Sequence, residues 1–114
     1  RPYYFKEVIE GLEKCFGVEK YSLLISVDCC GNKKKQEEHK TIFEKSSLIK
    51  LPHQLHLHPK RLGCAGNVGF TFNKAFEDPT IDAVIMLEDD TLPSEDFLNY
   101  SPILLCSFVK SIFL

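Results

Sequence analysis

A chain of 114 residues that is 44% apolar and 26% charged can build one hydrophobic core and has the composition of an ordinary globular domain. Its formal net charge of −2 supplies no basic footprint for nucleic acid. No stretch approaches the ~20 apolar residues of a membrane span, and Arg1-Pro2-Tyr3-Tyr4 carries no signal-peptide pattern, so neither nucleic acid nor membrane contact is expected of this segment.

Pro2 suits a helix start, and Tyr4, Phe5, Val8, Ile9, Leu12 and Phe16 recur at helical spacing until Gly17 stops the run. Tyr21 to Val27 is an apolar-rich strand that delivers Asp28 to its carboxyl end, followed by a Cys-Cys-Gly-Asn turn. Lys33 to about Lys45 predicts a polar helix whose lysine run is a solvated face. Leu48 to Leu51 and Leu55 to His58 read as short extended pieces around Pro52. His56 and His58 would share a strand face, but no cysteine or acid stands at ligand spacing, so surface histidines on an edge strand are the better reading.

The glycine-rich Gly63-Cys64-Ala65-Gly66-Asn67-Val68-Gly69 lacks both the Lys-Ser/Thr of a P-loop and the spacing of a dinucleotide-binding turn. It leads into a helix with Val68, Phe72, Ala75 and Phe76 on one face, ended by Asp78-Pro79. Next comes the stretch around which the chain is organised, Ala83-Val84-Ile85-Met86-Leu87-Glu88-Asp89-Asp90. Five apolar residues read as a strand buried on both faces, and the strand ends in three acids. Adjacent carboxylates repel and raise one another's pKa unless a cation sits among them, and hard oxygen ligands suit Mg²⁺ or Mn²⁺. The plain alternative is a solvated, acidic strand exit. Ser94 caps a short helix with Glu95 and Asp96 in its first turn, and Ser101-Pro102 opens an apolar helical tail from 101 to 114. The five cysteines (Cys15, Cys29, Cys30, Cys64, Cys106) form neither a C-x-x-C pair nor a zinc spacing. Helix and strand alternate along the chain, the pattern of a parallel α/β sheet.

Four motifs, taken together, resemble a known family. Arg1-Pro2 opens a helix, Ser26-Val27-Asp28-Cys29 closes a strand, Gly66-Asn67-Val68-Gly69 opens a helix, and Leu87-Glu88-Asp89-Asp90 closes the next strand. In that order they resemble the nucleotide-sugar-binding half of GT-A glycosyltransferases, and within these the N-acetylglucosaminyltransferase I family, including the enzyme that extends O-linked mannose. Leu92-Pro93-Ser94-Glu95-Asp96-Phe97 is similar to the helix start that follows the family's Glu-Asp-Asp. Asn67 stands where the closest members have histidine.

The resemblance implies a Rossmann-like, mostly parallel sheet with helices on both faces and a partial nucleotide-diphospho-sugar-binding domain over residues 1–100. It implies that Arg1 and Asp28 contact the uracil end of UDP, that Glu88 and Asp89 hold hydroxyls of ribose and sugar, and that Asn67 lies among the substrate-binding residues. Asp90 would be the direct ligand of Mn²⁺ (or Mg²⁺), which neutralises charge as UDP leaves. The implied activity is inverting transfer of GlcNAc from UDP-GlcNAc to a mannose of a glycoprotein glycan, in the Golgi lumen. The family's first strand, central in its sheet, is expected upstream of Arg1. Its catalytic base and acceptor half are expected downstream of the chain, so this chain alone is expected to be inactive. A sheet lacking an inner strand would leave backbone groups unpaired and the domain poorly stable. The alternatives are a non-catalytic or degenerate UDP-sugar-binding module, and a different metal-dependent phosphoryl-transfer domain using Asp89 and Asp90.

Overall fold

The computed structural model of the chain describes residues 1–29 and 31–100 and, as backbone, 109–113. It is a small α/β domain. Helix α1 (Pro2–Lys14) begins with proline at its first turn, where a missing N–H costs nothing. Gly17 then takes φ +83°, a conformation open to residues lacking Cβ, and turns the chain toward strand β1 (Ser22–Val27). The Asn32 side chain accepts from Lys34 N at 3.0 Å and starts α2 (Lys33–Lys45). Strand β2 (His53–Leu57), helix α3 (Gly63–Ala75) and strand β3 (Ala83–Met86) follow, and Val109–Phe113 forms β4.

The four strands are parallel and lie in the order β2-β1-β4-β3. Leu23 to Val27 pair with His53 to Leu57, Ser22 to Leu24 with Ser111 to Phe113, and Val84 to Met86 with Ser111 to Phe113. Strand periodicity divides the apolar residues between the two faces. Leu23, Ile25 and Val27 of β1, with Ile85 of β3 and the following Leu87, meet Phe5, Val8, Ile9 and Leu12 of α1 and Phe43 of α2. On the opposite face Leu24, Val84 and Met86 pack with Ala75 of α3. Both faces of β1 are therefore covered, which explains why Leu23 to Val27 are buried without a break.

Four expectations are corrected. The tail read as helical is a strand at Val109–Phe113; its remaining residues, 101–108 and 114, lie outside those described. Pairing with β1 and β3 overrides the local helical pattern, because an inner sheet position leaves backbone groups on two strands needing partners. The inner position read as missing is thus held by β4. The segment Ser47–Lys50 is a 3₁₀ turn rather than extended, closed by Leu51 N donating to Leu48 O at 3.0 Å, and it turns Leu48 into the core. Finally, His58 is buried rather than a surface histidine.

Candidate functional site

The carboxyl ends of β1 and β3 open into a cavity of about 380 Å³. Such ends are the usual ligand position in open α/β sheets, because the chain leaves them in loops and helix starts. β1 contributes Ser26 and Val27, with Asp28 just beyond it, while Met86 to Asp89 come from β3 and its exit. Arg1 and Phe5 of the α1 end, Lys35, Gln36 and His39 of α2, and Cys64, Asn67, Val68 and Thr71 of α3 complete the walls, so Lys35 of the run read as a solvated face borders the cavity. Of the residues singled out from sequence, Arg1, Asp28, Asn67, Glu88 and Asp89 line this one cavity. Asp90 joins them through Arg1.

Asp28 works as a remote cap. Its Oδ1 accepts from Cys29 N and Leu62 N, each at 2.8 Å, and its Oδ2 from Gly63 N at 2.9 Å. Helix α3 has no side-chain cap of its own at Leu62, so the carboxylate satisfies N–H groups that its first turn would leave unpaired. Burial alone would raise the Asp28 pKa, but the three N–H donors outweigh it and the carboxyl titrates below its usual range. Oδ2 takes a single N–H and retains capacity for a ligand donor.

The acidic exit holds a cation supplied by the chain itself. Arg1 Nη2 stands 3.0 Å from both Asp89 Oδ1 and Asp90 Oδ2, and Nε donates to Asp89 Oδ2 at 3.3 Å. The guanidinium also lies over the Tyr4 ring, 4.9 Å from its centroid. Burial pushes the Asp89 pKa up, and the hydrogen bond and charge of Arg1 more than reverse it. The same bonds to Asp89 and then Asp90 hold Arg1 in its charged form. Arg1 therefore sits at the acid pair, whereas the resemblance implied a place with Asp28 at the base end. Among the described residues no group of three or more His, Cys, Asp or Glu is placed to hold a metal. Two carboxylates nonetheless fit the hard-cation pattern in which substrate phosphates and water supply the remaining ligands.

Sequence reasoning missed the inward face of α2. Gln36 Nε2 donates to His58 O at 2.8 Å, tying α2 to the end of β2. His39 packs on Phe5, ring centroids 5.0 Å apart, and its Nδ1–H donates to Lys35 O at 2.6 Å. Burial lowers the His39 pKa, so the ring is neutral at pH 7 and Nε2 is an acceptor. Gln36, His39 and Phe43 stand at i, i+3 and i+7, one helical face, and that spacing is the signal that could have found them.

Ser26 and His58 look like a nucleophile and base, with Oγ 2.8 Å from Nε2. The hydroxyl proton, however, goes to Asn67 Oδ1 at 2.6 Å, while Asn67 Nδ2 donates to Ser26 O at 3.3 Å. A serine whose proton is committed to an amide oxygen is not activated by the histidine beside it. Of the cysteines described, Cys15, Cys29 and Cys64 are free thiols. No described helix is long and apolar enough to cross a membrane.

Comparison with known proteins finds no matching family model, no matching curated protein and no matching solved structure.

Proposed function

We propose that the chain is the nucleotide-sugar-binding part of a metal-dependent GT-A glycosyltransferase, taking UDP-GlcNAc as donor. The observation that carries this reading is convergence. Arg1, Asp28, Asn67, Glu88 and Asp89, separated widely in sequence, line one cavity at the carboxyl ends of parallel strands. These are the residues the family resemblance assigns to donor binding. Acids at 88–90 offer acceptors for sugar hydroxyls and oxygens that would hold Mn²⁺ or Mg²⁺, which would supply Lewis-acid neutralisation of the charge on the leaving UDP. The acceptor is a mannose of a glycoprotein glycan, the setting is the Golgi lumen, and the base that deprotonates the acceptor belongs to a part of the enzyme outside this chain.

A second reading has one observation in its favour. The acid pair already holds the Arg1 guanidinium, which offsets one of its two charges and suits a module that binds a UDP-sugar without metal and without catalysis.

Calorimetric titration of the chain with UDP, UDP-GlcNAc and ADP, with and without Mn²⁺, separates these readings. Uridine-selective binding that requires Mn²⁺ and disappears in Asp90→Asn is the expected result. Uridine-selective binding indifferent to Mn²⁺ would select the non-catalytic module. Metal-dependent binding that ignores the base would move the assignment to phosphoryl-transfer chemistry.

A further inference from the structure

The wall of the cavity between β1 and α3 is a hydrogen-bonded chain with a fixed direction. His58 and Ser26 are both buried, at 8% and 6% exposure, so neither exchanges its partner freely for water. The Phe70 ring stands edge-on to the His58 ring, centroids 4.5 Å apart, and Gln36 holds the His58 carbonyl, so both the ring and the backbone of His58 are packed in place. Asn67 sets the polarity. Its Nδ2 can only donate and the Ser26 carbonyl can only accept, so Oδ1 is the atom that faces the Ser26 hydroxyl. An amide turned the other way would set Oδ1 against the Ser26 carbonyl oxygen, two acceptors with no proton between them. Ser26 Oγ–H therefore donates to Asn67, and the remaining close contact, 2.8 Å from Oγ to His58 Nε2, has the imidazole N–H as donor. The direction runs from His58 through Ser26 to Asn67. The Asn67 backbone is held as well, its carbonyl accepting from Thr71 Oγ1 at 2.7 Å.

With Oδ1 committed to Ser26 and one N–H to the Ser26 carbonyl, the second N–H of Asn67 has no partner among the described residues, on a side chain that lines the cavity. We propose that Ser26 and His58 are positioning residues that lock Asn67 as a hydrogen-bond donor to a carbonyl oxygen of the bound ligand. On the nucleotide-sugar reading, on which the ligand's identity rests, that carbonyl belongs to the uracil ring. Adenine carries no carbonyl, so the lock selects a pyrimidine dione over adenine by hydrogen-bond polarity as well as by size.

Two measurements on the full chain test this. The first needs no ligand: two-bond ¹H–¹⁵N correlation of the imidazoles near pH 8 reports which nitrogen of His58 is protonated. The assigned direction requires the Nε2–H tautomer, and an unprotonated Nε2 overturns it. The second is a binding cycle with UDP and ADP on the natural chain, Ser26→Ala, Asn67→Ala and the double variant. Loss of one neutral hydrogen bond's worth of positioning corresponds to roughly three- to tenfold weaker UDP binding in Ser26→Ala. The preference over ADP falls by the same factor, and Ser26→Thr, which keeps the hydroxyl, restores it. In the Asn67→Ala background the serine substitution changes UDP affinity less than about twofold, because its effect passes through Asn67. Equal losses in both backgrounds overturn the positioning role while leaving the nucleotide-sugar reading intact. Absence of UDP binding in the natural chain overturns that reading, and the carbonyl assignment with it, whatever the His58 tautomer.

Discussion

At the scale of single residues, the most consequential contact joins Arg1 to Asp89 and Asp90. Both sides of it are substantially exposed, and exposed ion pairs stabilise a fold by only about 0–1 kcal/mol each. A divalent cation carries twice the charge at the same oxygens and displaces such a pair readily. On the metal-dependent reading, Arg1 and the metal compete for one acid pair, and Arg1→Gln should tighten Mn²⁺ binding by roughly two- to fivefold, the equivalent of a surface ion pair. Calorimetry with Mn²⁺ alone measures it; unchanged or weakened affinity would show that the guanidinium does not guard the acids. The need for a cation at Glu88-Asp89-Asp90 was legible from charge alone. That the cation present is Arg1 was not, because a helix start and a strand end 88 residues apart have no local signal of their proximity.

Among the elements, α3 depends on a carboxylate that belongs to another element. Asp28 sits beyond β1, and its contacts with Leu62 N and Gly63 N do the work of a missing N-cap. Asp28→Asn keeps the shape but removes the charge facing the α3 N-terminus and leaves one acceptor oxygen where there were two, so a loss of about 1 kcal/mol is expected. The pH dependence follows from the sign of the shift. The folded-state pKa of Asp28 is depressed, so its contribution is fully present above the unfolded carboxylate range near pH 4 and is lost as pH falls toward the folded value. Denaturant melts from pH 7 to pH 3 should therefore show the natural chain and Asp28→Asn converging in stability at the acid end. A constant gap across that range would remove charge from the explanation. Legibility differs sharply between elements. α2 was readable to its bounds, since Asn32 and Gly31 mark its start and its charged residues form a solvated face. The partner of its buried Gln36 was not, because the His58 carbonyl comes within reach only once the sheet has folded; His39 bonds locally to Lys35 O, and only the face it shares with Gln36 and Phe43 marked it.

For the whole molecule, the parallel sheet followed from alternating helices and strands, and the acids at the end of β1 and the exit of β3 marked the end where the cavity opens. Strand order did not follow, because it is set by which backbone edges are left open, and sequence patterns do not record that. Placing β4 between β1 and β3 makes one strand responsible for two ladders. Ser111 is in register with Ser22 on one side and Val84 on the other, so Ser111→Pro removes an inner-strand N–H and forces a ring into the ladder. A loss of about 3 kcal/mol or more is expected, a large share of the roughly 5–15 kcal/mol available to a domain. Urea unfolding by circular dichroism would register it, and an unchanged midpoint would show that β4 does not carry the sheet.

The order β2-β1-β4-β3 also bears on how the chain comes to be folded. Neighbours in the sheet are far apart in sequence at its centre: β1 ends at Val27, and the strand it closes against begins 82 residues later, at Val109. Contacts of such separation slow folding, because the loop must be closed before the contact is made. On the ribosome, β1, β2 and β3 emerge first with two facing edges open, and the sheet becomes continuous only when 109–113 arrive. Until then the nascent chain exposes the strand edges that invite pairing with other chains, so its period of greatest vulnerability to aggregation lies between the synthesis of Met86 and that of Phe113.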